Sequence, residues 1–90
     1  MSLEIEFDSG KEAINIAKHD ISLSFAALLF ESDFKERPDV RQDYGEPRMI
    51  AIGPINDRLH VCVYTLRNNV RRIISLRRAN RRESHDYYQD

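Results

Sequence analysis

Residues Leu59–Arg78, LHVCVYTLRNNVRRIISLRR, constrain this chain more than any other stretch. Two runs rich in β-branched and aromatic residues flank Asn68-Asn69, a pair suited to the two positive-φ positions of a tight turn. The segment therefore predicts a β-hairpin. Centring it on the two asparagines sets Arg67 opposite Val70, Thr65 opposite Arg72 and Val63 opposite Ile74. Side chains alternate across a strand, so Val61, Val63, Ile74 and Leu76 are expected on one apolar face, turned to the helices. His60, Cys62, Tyr64, Arg71, Ile73, Ser75 and Arg77 then form a mixed polar and basic face. A slip of one residue would reverse every assignment.

The remaining segments supply partners for that hairpin. Leu3, Ile5 and Phe7 alternate with Glu4, Glu6 and Asp8, the period-2 pattern of a half-buried strand. Asp8 can cap a helix over Ser9–His19, with Ala13, Ile14 and Ala17 on one face. Asp20 breaks it. Ser22 or Ser24 can cap a second helix carrying the apolar block Phe25–Phe30, expected at the centre of the packing. Ser32–Arg37 is a candidate short strand and Pro38–Pro47 a loop. Met49–Ile52 predicts a strand, Gly53-Pro54 with Asn56-Asp57 a turn, and Ala79–Asp90 a final helix whose Asn80 and Glu83 fit a capping box. The order β-α-α-β-β-β-β-α points to an α+β fold, a small antiparallel sheet packed by helices.

Ninety residues suit a single domain, 1–90. Cys62 stands alone, which excludes an intrachain disulfide and a cysteine-based zinc site. No apolar run reaches the roughly 18 residues of a membrane helix, and the acidic start MSLEIEFD does not resemble a signal peptide; a soluble cytoplasmic protein without membrane contact is expected. The formal net charge of −1 hides an asymmetry. Residues 1–46 hold five Lys/Arg against eleven Asp/Glu, and residues 47–90 hold nine against four. Either one surface faces an anionic partner, or the halves neutralise each other in the fold.

Arginine presents a planar fork matched to phosphate oxygens and stays charged. Arg48, Arg67, Arg71 and Arg77 are candidates to grip a phosphate and stabilise charge developing on it, or else rungs of a surface ladder paired with acids. His19, beside Lys18, is a candidate for proton transfer, although a histidine ending a helix also serves to satisfy carbonyls. His60 and His85 have weaker claims. Tyr64 can stack on a base, donate a proton or simply pack. Arg78, Arg81, Arg82 and His85 fall at helical spacing along one stripe. No phosphate-binding glycine loop, HExxH, CxxC or nucleophile elbow is present, which argues against an ATPase, a zinc protease and a serine hydrolase.

Together, Phe7–Phe30, Arg48–Gly53 and Val63–Tyr88 resemble the BrnT family of type II toxin–antitoxin toxins. The family's pattern lands on Phe7-Asp8, Lys11, Asn15, Lys18-His19, Phe25-Ala26, Arg48, Gly53, Tyr64-Thr65, Arg67, Arg72–Ser75, Arg77, Glu83 and Tyr87. It departs at Asp20, where the family usually has Gly, at Phe7, often Trp, and at Leu76, usually Ala. The resemblance implies a RelE-like fold and RNA cleavage that stops translation and growth. It also implies a cognate DNA-binding antitoxin in a hetero-oligomer, with operator DNA contacted only through that partner. The resulting expectation is a metal-independent endoribonuclease needing no cofactor. Arg48, Arg67 and Arg77 would hold the scissile phosphate, His19 or Tyr64 would move protons, and Lys11, Lys18 and Arg78 would bind the RNA backbone. The rival of another class is a non-catalytic interaction module, a degenerate toxin or a corepressor. A plain RNA-binding domain is weaker, because the strands lack paired exposed aromatics.

Overall fold

The computed structural model describes residues 3–89. Met1, Ser2 and Asp90 lie outside them, and with them part of the acidic start and the last residue of the expected terminal helix. The elements are β1 Ile5–Glu6, α1 Ser9–His19, a 3-10 turn Leu23–Phe25 running into α2 Ala26–Phe30, β2 Lys35–Pro38, β3 Met49–Ile55, β4 Arg58–Arg67, β5 Val70–Arg78 and α3 Arg81–Tyr88. The fold is α+β, with one sheet ordered β1-β5-β4-β3-β2. Strands β2 to β5 form an antiparallel meander. β1 corrects the expectation of a wholly antiparallel sheet: it joins β5 in parallel, Ile5 beside Arg71 and Glu6 beside Arg72.

Both hairpins close with two residues in the left-handed region. Asn68 (φ 53°) and Asn69 (φ 65°) do so as expected, and Asn56 (φ 50°) and Asp57 (φ 68°) repeat the device. Gly53-Pro54 is not part of that second turn. It lies inside β3, Gly53 opposite His60 and Pro54 opposite Leu59. β2 pairs with β3 only as far as Ile52, so the proline costs no ladder bond on that side. A Cβ on Gly53 would sit 2.9 Å from the Phe34 Cβ, which explains a glycine in mid-strand.

The β4–β5 register follows expectation from Arg67↔Val70 to Tyr64↔Ile73, then shifts. Val63 faces Ser75, not Ile74, and the new register continues to His60↔Arg78. Ile74 is the extra residue of a bulge. The expected faces are also reversed on β4. Cys62, Tyr64, Ile73 and Leu76, with Ala51 of β3, form the core against Leu23, Ala26, Leu29 and Phe30. Val61 and Val63 point the other way. Since Val61 is buried as well, β4 is apolar on both faces and alternation alone gives no phase. The bulk of Tyr64 fits edge-on beneath Phe30, ring centroids 5.2 Å apart.

α1 begins as expected, with Asp8 accepting from the Lys11 N–H at 2.9 Å, but it turns a different face inward. Ala13 and Ala17 are exposed and Ile14 is 61% exposed, whereas Asn15 is 3% exposed. The two-residue β1 leaves the outer edge of β5 open at Leu76, and the Asn15 carboxamide fills the gap as a peptide group would. Its Nδ2 donates to the Leu76 carbonyl at 2.8 Å and its Oδ1 accepts from the Leu76 N–H at 3.0 Å. Glu12 ties α1 to the next turn, accepting from the Leu23 N–H at 2.7 Å and the Ser22 hydroxyl at 2.6 Å.

Candidate active site

α1 stops at His19 because Asp20 takes left-handed backbone angles (φ 58°, ψ 36°) and returns its N–H to the Ile16 carbonyl. Such positions favour glycine, with Asp and Asn tolerated, so Asp20 keeps the geometry while adding a carboxylate. The chain then turns across the end of the sheet where the β3–β4 turn meets the end of β5. A cleft of about 380 Å³ opens there, lined by His19, Asp20, Phe25, Arg58, His60 and Arg78 among others.

His60 is the best-defined polar group in it. Its side chain sits within β4 directly opposite Arg78, and the residue is 5% exposed. Its Nδ1 lies 2.7 Å from the Arg58 carbonyl oxygen. A carbonyl only accepts, so Nδ1 carries the proton and Nε2 keeps a lone pair. Burial pushes the imidazole below its ordinary range, and the charges of Arg78 and Arg58 add to this against the carbonyl hydrogen bond. The imidazole is therefore biased toward its neutral form, with the lone pair on Nε2.

Several arginines already have partners. Arg72 binds Glu6 at 2.8 Å, Arg67 lies 3.2 Å and Arg48 3.8 Å from Glu46, and Arg77 grips both oxygens of Glu83 at 2.8 and 2.7 Å. Arg71 is buried, its guanidinium 4.1 Å from the Phe30 ring centroid and also near Tyr64 and Phe34, with Nε and Nη1 lacking a hydrogen-bond partner. Arg58, Arg78 and Arg81, by contrast, make no ion pair among the described residues, and all three line clefts at this one end of the sheet.

The expected set of Arg48, Arg67 and Arg77 does not converge. Arg77 pairs with Val61, six residues and about 20 Å along β4 from Arg67. Arg48 also stacks on Tyr44, 3.9 Å from the ring centroid. Tyr64 is 2% exposed, on the helix-facing side and not the open one, and donates to Glu36 at 2.5 Å. Burial and that carboxylate raise its phenol above the ordinary value, so it stays protonated. Lys11 and Lys18 border a smaller recess beside His19, Ile74 and Ser75. Arg78 closes β5 and does not join a helical stripe. The sequence singled out His19 and Arg78, passed over Arg58 and ranked His60 low. Only the bulge at Ile74 brings His60 opposite Arg78, and RIIS carries no signature of a bulge.

Comparison with known families adds a decisive observation. A family model described as the ribonuclease toxin BrnT of type II toxin–antitoxin systems matches residues 7–83. The chain belongs to the BrnT family. No match was found among curated proteins. Membership makes RNA the substrate class and an antitoxin the partner of this BrnT chain. The matched region takes in the whole sheet from β2 onward, α1 and every residue named in the cleft. Three residues on which the resemblance rests have structural duties: Asn15 closes the β5 edge, Gly53 lets Phe34 pass, and Glu83 anchors α3. Among the described residues, no three His, Cys, Asp or Glu side chains gather to hold a metal ion, and no single helix is long and apolar enough to cross a membrane.

Proposed function

We propose that this BrnT toxin cleaves RNA in the cleft between His19 and Arg78, with protein side chains alone moving the protons. His60 Nε2 takes the proton of a ribose 2′-hydroxyl as its oxygen attacks the adjacent phosphorus. The bond to the 5′-oxygen breaks as the new one forms, and His19 gives that leaving oxygen a proton. Arg58 and Arg78 face the phosphate and stabilise the charge it gains. The products are a 2′,3′-cyclic phosphate and a 5′-hydroxyl. Lys11 and Lys18, next to His19 on α1, hold the approaching backbone. Arg77 serves to anchor α3, and Arg48, Arg67 and Tyr64 lie outside the reacting centre.

The observation that carries this reading is the oriented His60, biased toward its neutral form, beside guanidinium groups that make no ion pair among the described residues. Cleaved messages cannot be translated, so growth stops. The DNA-binding antitoxin neutralises the toxin, and the complex returns to its operator.

Purified toxin is to be incubated with end-labelled RNA, with and without EDTA. We expect cleavage to survive chelation, to leave cyclic-phosphate ends, and to fall at least 100-fold in His60→Ala. Arg67→Ala should retain most of the activity. EDTA-sensitive cleavage, or a fully active His60→Ala, overturns the mechanism. An inert parent protein that still joins an antitoxin–operator complex points instead to the non-catalytic module.

A further inference from the structure

A second, wider cleft of about 610 Å³ adjoins the first and shares Arg58 and Arg78 with it. Its other walls include Asp57, Arg81, Ser84 and Tyr88. The two arginines thus form a cationic ridge with a recess on either side. Each recess also holds an exposed ring, Phe25 (42% exposed) in the first and Tyr88 (73% exposed) in the second. Tyr88 is braced: its ring meets Tyr87 edge-on at 5.1 Å, and the Tyr87 hydroxyl donates to the Asp33 carbonyl. A large exposed aromatic held in place beside unpaired guanidinium groups is the arrangement that binds an unpaired base and its phosphate.

We propose that the second cleft is a nucleotide subsite of this toxin. The base next to the phosphate on the Arg58–Arg78 ridge stacks on Tyr88, and Arg81 meets the following phosphate. The substrate is then single-stranded RNA at least two nucleotides long, since bases paired in a duplex cannot turn into separate recesses. This rests on the first cleft being the site of cleavage, but its test does not require cleavage.

A 2′-fluoro RNA hexanucleotide lacks the attacking hydroxyl and is not cut. Its affinity is to be measured by fluorescence anisotropy at fixed low salt, with an abasic residue placed at each position in turn. At one position the abasic change should weaken binding to the parent protein about 5- to 100-fold, the range expected for losing one stacked base. Tyr88→Ala should weaken the intact oligomer by a similar factor and become indifferent to the abasic residue there. Tyr88→Phe should restore affinity. Unchanged binding by Tyr88→Ala, an abasic penalty that persists in it, equal affinity for the duplex, or no binding at all would each overturn the subsite. Coupling between Tyr88 and one base in a protein that cuts no RNA would keep the subsite and reject the cleavage mechanism. Cleavage that depends on His60 without such coupling would do the reverse.

Discussion

Asn15 shows how much one side chain carries in a sheet this small. It satisfies the N–H and the carbonyl of Leu76 together, and its Nδ2 reaches the Ile21 carbonyl as well. Replacement by alanine leaves two backbone groups of a buried residue without partners, at about 1–3 kcal/mol each. We expect Asn15→Ala to lose about 2–4 kcal/mol in urea denaturation, and Asn15→Asp, which keeps the acceptor but loses the donors, to recover less than half of it. Among the residues lining the cleft, His19 and Arg78 were legible because they stand at ends of elements that the sequence marks well. His60 was not, since its neighbours Leu59 and Val61 read as ordinary strand. Its setting depends on a carbonyl two residues back and on a partner strand displaced by one.

At the scale of elements, turns and caps were the legible part. Asn68-Asn69, the Asp8 cap and the Asn80–Glu83 capping box all act locally, so local sequence suffices to reveal them. Strand phase and strand direction were not legible, because they are decided by which surface collapses on which. β4 has apolar side chains on both faces, and only the fit of Tyr64 under Phe30 selects one. The end of the second hairpin was misjudged for a related reason: Gly53-Pro54 looks like a turn, yet here it serves a close crossing by Phe34 at a stretch of β3 beyond the reach of β2. α3 depends on few ties. Arg77 holds Glu83 with two hydrogen bonds, and the Tyr87 hydroxyl reaches Asp33. Because the Arg77–Glu83 pair is partly exposed, its value is modest. Glu83→Gln should cost about 1 kcal/mol and speed amide exchange throughout Arg81–Tyr88 while leaving the exchange of β4 unchanged.

Across the whole molecule, the opposite charges of the two halves partly neutralise each other in the fold. Glu6, Asp8 and Glu46 from the acidic half neutralise Arg72, Arg48 and Arg67. Arg58, Arg78 and Arg81 make no such pair among the described residues and line the two clefts. Titration follows from the same layout. His60 is held below its ordinary range by burial, so the unfolded chain binds a proton more readily than the folded one. That contribution is complete above about pH 6.5 and is lost as pH falls toward the depressed folded value. Asp39, gripped by Arg41, and Glu83, gripped by Arg77, lie below the usual carboxylate range. Their contributions are present above about pH 4.5 and disappear below it. Thermal melts across pH 3–8 should therefore show a plateau above about 6.5 and two successive declines. His60→Gln should remove the first decline and leave the second.

The parallel pairing of β1 with β5 joins the first described strand to the last, and Asn15 likewise reaches Leu76 from α1. A nascent chain on the ribosome therefore has no slot for its first strand until β5 has emerged. Arg78, the last residue of that strand, comes opposite His60 only when β5 has paired with β4. The cleft that Arg58 and Arg78 flank is thus complete only once the first and last described strands have met.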